Sequence, residues 1–98
     1  MPERMTVIKL KGDTDAIIEA MSEMQPLMQR VGRENGALSH ISARTDDGVV
    51  IVNLWRDAAG SDAAAENPEV QEALGKAMAG GGVEREIRHY DVVEYDIP

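Results

Sequence analysis

The chain has no cysteine and no phenylalanine, and its only aromatic residues are Trp55, Tyr90 and Tyr95. Without cysteine there is no disulfide framework, no thiolate metal site, no iron–sulfur cluster and no thiol nucleophile. Basic residues are also scarce. Lys plus Arg is 10 against 18 for Asp plus Glu, a formal charge of −8. Such a balance argues against nucleic acid or an anionic membrane as partner, because both are held by basic patches. No apolar run approaches the ~20 residues of a membrane span. The stretch Met1-Pro2-Glu3-Arg4-Met5 lacks the apolar core of a signal peptide. A cytoplasmic protein is the expectation.

What remains is an ordinary globular composition, 43% hydrophobic and 29% charged over 98 residues. That length suits one domain spanning residues 1–98, with one modest core.

Met5 to Lys11 is rich in β-branched residues and ends at Gly12, so it predicts a strand. Asp13-Thr14-Asp15 supplies a helix cap. Ile17, Met21, Met24, Met28 and Val31 follow at steps of four and three, which places them on one helical face as core packing. Pro26 predicts a kink or a split in this helix, and Asn35-Gly36 predicts its end. Leu38 to Thr45 and Val49 to Arg56 read as two strands of a hairpin around Asp46-Asp47-Gly48, whose residues accept the positive φ of a tight turn. Asp57 caps a short Ala-rich helix. Asn67-Pro68-Glu69 starts another, with Val70, Leu74, Ala77 and Met78 as its buried stripe. Gly80-Gly81-Gly82 ends it as a linker. Val83 to Ile97 predicts a final strand, with a bulge or two-sided burial where Val92 and Val93 adjoin. Its acids Glu84, Glu86, Asp91, Glu94 and Asp96 read as protection of a sheet edge. The order βαββαβ is an α+β, ferredoxin-like plan with a four-stranded antiparallel sheet covered on one side by helices.

The hairpin register sorts its residues into two faces. Ile41, Ala43, Val50, Val52 and Leu54 are all apolar and are expected under the helices. His40, Ser42, Arg44, Val49, Ile51, Asn53 and Trp55 share the other face. If open to water, that face exposes a sizeable apolar patch with polar groups inside it. A homodimer with the two sheets face to face hides it and leaves a half-polar interior, which calls for a ligand or internal hydrogen bonds.

Gly36-Ala37-Leu38-Ser39-His40, Arg44-Thr45-Asp46-Asp47-Gly48 and Val52-Asn53-Leu54-Trp55, followed by an acidic Ala-rich helix, together resemble the dimeric α+β barrel superfamily. The likeness is strongest to its antibiotic-biosynthesis-monooxygenase-like members, and the topology match covers nearly the whole chain. The resemblance implies a homodimer. It also implies a pocket between sheet and helices for a small aromatic or polyketide-like molecule. Some members oxygenate such substrates with no metal or flavin, stabilising a substrate anion with pocket Asn, Trp and Tyr side chains. Asn53 and Trp55 match by strand position, while Tyr90 and Tyr95 match by residue type alone. Heme-degrading members carry a His on the second helix. Pro68 to Met78 has none, with Leu74 near that place. A third group binds small molecules without catalysis.

The candidate catalytic residues are therefore His40, as base, and Asn53, as anion stabiliser. Each also has a structural reading, as cross-strand hydrogen-bond partners. The candidate binding residues are Arg44, Ile51 and Trp55. Arg44 alternatively pairs with Asp46 or Asp47 near the hairpin tip, and Trp55 alternatively anchors packing. No cofactor and no metal are expected. His89 and Asp91 share strand parity, yet two histidines without motif spacing make a metal site with His40 the weakest alternative. The rival to an oxygenase-like enzyme is a non-catalytic small-molecule-binding or structural dimer.

Overall fold

A computed structural model describes residues 2–97. The elements are β1 (Arg4–Lys11), α1 (Thr14–Glu34), β2 (Ala37–Thr45), β3 (Gly48–Trp55), α2 (Ala58–Glu66), α3 (Pro68–Met78) and β4 (Glu84–Asp91). The strands form one sheet in the order β2-β3-β1-β4, and every neighbouring pair is antiparallel. This is the ferredoxin-like layout that the element order predicts.

Local chemistry accounts for the boundaries. Asp13 accepts from the Ala16 amide at the start of α1, and Asp57 accepts from the Gly60 amide at the start of α2. Asn67 accepts from both Glu69 and Val70, with Pro68 at the first turn of α3 where no donor is required. Gly36, at φ 86°, turns the chain out of α1. Pro26 does not split α1, which is continuous from Thr14 to Glu34. The carbonyl that loses its donor is that of Ser22. Both residues are exposed, so water substitutes for the missing bond.

The hairpin closes with Thr45 opposite Gly48 and His40 opposite Asn53, the register expected from the sequence. Its turn differs from expectation: neither the two Asp residues nor Gly48 has positive φ. Gly48 is required for another reason. A Cβ there would overlap the Leu10 carbonyl of the adjoining β1. The final strand is also shorter than expected. It stops at Asp91, after which the Val92 amide donates to Glu3 O and the sheet offers no further partner. The adjacent valines therefore mark a strand end, not a bulge.

The largest correction concerns the faces. Trp55 is 8% exposed and packs with Val31, Ala64 and Val70, so the helices sit on the mixed face of the hairpin. Cross-element ion pairs agree: Arg44 reaches Asp15 of α1 at 3.1 Å, and Arg4 reaches Asp62 of α2 at 2.7 Å. The all-apolar set is left on the open face, where Ile41 is 60% exposed. Trp55 and Val49 are both buried at the sheet–helix interface. Within the helices, Val70 is buried but Ala77 is exposed. Met21 and Met24 are half-buried and Met28 is exposed, so the methionine stripe flanks the core instead of forming it. Among the described residues, no helix is long and apolar enough to cross a membrane.

Candidate functional site

On the helix side of the sheet, one transverse row is polar from edge to edge. His40 on β2 stands opposite Asn53 on β3, Asn53 opposite Thr6 on β1, and Thr6 opposite His89 on β4. The next row is Ser42, Ile51, Ile8 and Ile87. The row beyond that begins with Arg44 and ends with Arg85, with Val49 and Leu10 between them.

Two hydrogen bonds organise the polar row. His40 Nδ1 lies 2.5 Å from Asn53 Oδ1. An amide oxygen only accepts, so the imidazole donates through Nδ1–H, and in its neutral form it carries its lone pair on Nε2. Asn53 is half-buried and His40 is exposed on the edge strand. At the other end, Thr6 Oγ1 and His89 Nδ1 are 2.9 Å apart. Thr6 is 5% exposed, so its hydroxyl needs this partner.

The other candidates separate. Ile51 is half-buried in the row beside His40 and Asn53. Arg44 lies on the same face but is held by Asp15, not by Asp46 or Asp47. An open groove of about 400 Å³ runs between α1 and the hairpin, lined by Ile18, Met21, Gln25, Ser42, Arg44 and Val49. Its volume suits a small ligand. It lies one row away from His40 and Asn53. Trp55 is a packing anchor in the core, and little of its surface is left for a ligand. Tyr90 is 45% exposed on the open face, beside Arg88, and Tyr95 is 47% exposed beyond β4. Neither shares the polar row.

The metal arrangement does not form. His40 and His89 stand on opposite outer strands, and no group of three metal-binding side chains occurs among the described residues. A close ion pair lies on the open face instead. Arg88 hydrogen-bonds Glu86 at 2.6 Å and holds its carboxyl below the usual carboxylate range, while Glu86 raises the Arg88 guanidinium in turn.

Sequence reasoning missed Thr6. It is the single uncharged polar residue between Met5 and Leu10, and the ferredoxin-like strand order carries enough information to align it with Asn53 and His89.

No protein-family model and no curated protein sequence matches this chain. Solved structures do. SnoaB, a cofactor-independent oxygenase from Streptomyces nogalater, is 14% identical over 97% of this chain and 97% of its own, with a TM-score of 0.77. A candidate antibiotic biosynthesis monooxygenase from Deinococcus radiodurans is 15% identical over 98% and 97%, with a TM-score of 0.71. A dimeric ferredoxin-like protein of unknown function from Jannaschia sp. CCS1 is 19% identical over 92% and 99%, with a TM-score of 0.67. At these identities the likeness is one of fold. The chain thus has the ferredoxin-like fold, and in that fold it is similar to these proteins.

Proposed function

We propose that the protein is a cofactor-independent oxygenase for a small aromatic or polyketide-like molecule bound between sheet and helices. The observation that carries this reading is the His40–Asn53 pair. Its hydrogen bond fixes the tautomer and leaves His40 Nε2 as the base. The same bond occupies only the amide oxygen of Asn53, so the amide N–H groups are free to donate to an oxyanion as it forms. Ile51 supplies apolar wall, and Arg44, paired with Asp15, lies one row beyond it. Trp55 backs the site from the core.

The chemistry follows from an acidic methylene beside an aromatic ketone. His40 removes a proton, and Asn53 stabilises the enolate. The enolate gives an electron to dioxygen, and the two radicals combine to a peroxide anion, which takes the proton back from His40 to give a hydroperoxide. Loss of water leaves a carbonyl, so one oxygen atom enters the product and the other leaves as water. The cofactor-independent oxygenase of similar fold supports this reading.

The protein is proposed to act as a homodimer joined through the open sheet face. Ile41 and Tyr90 are 60% and 45% exposed there, flanking half-buried Val7, Val50, Val52 and Leu54. A neighbour of similar fold is dimeric, which supports self-association.

Dioxygen uptake with dithranol, a dihydroxylated anthrone, tests the reading. Wild-type protein is expected to consume dioxygen and release the anthraquinone. Asn53→Ala is expected to lose about 100-fold in kcat. A second reading, binding without catalysis, is favoured by the exposure of His40 and the burial of Trp55. A melting shift with recovery of unchanged dithranol would establish it and end the oxygenase proposal.

A further inference from the structure

We propose that Thr6 and His89 form a second ligand-binding station that selects substrates carrying an oxygen substituent remote from the reacting carbon. This rests on the oxygenase reading and extends it to the far half of the same sheet face.

The polar row does not end at Asn53. It continues through Thr6 to His89, with each outer histidine bonded to the polar residue on the strand inside it. His89 is held by the Thr6 hydroxyl through Nδ1, so its ring is oriented and Nε2 remains for another partner. Its position relative to Asn53 is set by the sheet. The two residues are two strands apart, roughly 10 Å at the usual interstrand spacing. That is the reach of a flat fused-ring molecule with oxygens on separate rings.

The floor beside this row suits such a molecule. Ile51, Ile8 and Ile87 lie side by side across β3, β1 and β4 on the same face. Helices α1 and α2 pack on β2 and β3, so cover thins toward β4, where Ile87 is 43% exposed and His89 is exposed. A fused ring lying on the isoleucines has its edge along the polar row. Its reacting end meets Asn53 and its second oxygen meets His89. A structural role alone explains why Thr6 needs a partner. It does not explain why the partner is an exposed histidine at the open end of an apolar floor.

The test compares two probes, emodin anthrone, which carries a hydroxyl on the ring edge away from the ketone, and dithranol, whose hydroxyls both flank the ketone. His89→Ala is expected to raise KM for emodin anthrone about tenfold, the loss of one hydrogen bond, with kcat nearly unchanged. The same variant is expected to leave KM for dithranol within twofold. Thr6→Val is expected to reproduce part of the emodin anthrone effect by releasing the ring, and Thr6→Ser, which keeps the hydroxyl, to behave as wild type. Equal losses on both probes, or no loss on either, with Asn53→Ala still slowed about 100-fold, overturn the second station and leave the oxygenase reading standing. Wild-type protein that neither binds nor converts either probe overturns both.

Discussion

Replacing Trp55 by alanine separates a helix-covered tryptophan from one held between two sheets. Trp55 is 8% exposed and packs with Val31, Ala64 and Val70, with Leu27, Ala37 and Leu74 around them. Truncating a buried aromatic to alanine costs about 3–5 kcal/mol, the transfer loss plus the cavity left behind. Typical unfolding entropies give a 98-residue chain about 0.2 kcal/mol per kelvin at its midpoint, so the loss in Tm is about 15–25 °C. This is a large share of the 5–15 kcal/mol typical of a domain. Because Trp55 lies in the core of a single chain, the loss must be the same at low and high protein concentration. Urea and thermal unfolding followed by far-ultraviolet circular dichroism measure it without the lost fluorophore. A loss below about 1 kcal/mol, or one that appears only above a dimerisation threshold, would refute the helix-side placement.

Asn67→Ala removes the acceptor for two amides at the start of α3 and is expected to cost about 1 kcal/mol, measured by urea unfolding. Ile41→Glu places charge on the open sheet face. In sedimentation velocity it is expected to turn a wild-type dimer into a monomer that retains its fold, and a wild-type monomer at micromolar concentration would refute that interface. The Glu86 carboxyl, held down by Arg88, is expected to titrate below the ordinary glutamate range and to return to it in Arg88→Ala, as followed by NMR. Because its folded value is lowered, this pair supports the fold at neutral pH. That support disappears as pH falls through the lowered value, and it is small for so exposed a pair.

The hairpin register was legible because Asp46 and Asp47 fix a two-residue loop and the alternation on either side agrees with it. Caps at Asp13, Asp57 and Asn67 were legible for the same local reason. The direction each face points was not. Alternation states which residues share a face, and only packing decides which face the helices take. Here the helices cover the face that carries Trp55, and the all-apolar set faces the open side. His40 and Asn53 were found because the hairpin makes them neighbours. Thr6 and His89 were missed as a pair because 83 positions separate them and only the sheet order aligns them. The alternative partners of Arg44, Asp46 and Asp47, follow from proximity along the chain, but its helix-side direction gives it to Asp15.

The central claim is that Asn53 fixes His40 with its proton on Nδ1 and its lone pair on Nε2, ready to act as a base. Nitrogen-15 NMR of histidine-labelled protein above the imidazole titration range reads this tautomer directly. His40 is expected to show a protonated Nδ1 and an unprotonated Nε2 in the wild type, and to lose that preference in Asn53→Ala. A wild-type His40 carrying its proton on Nε2 would contradict it.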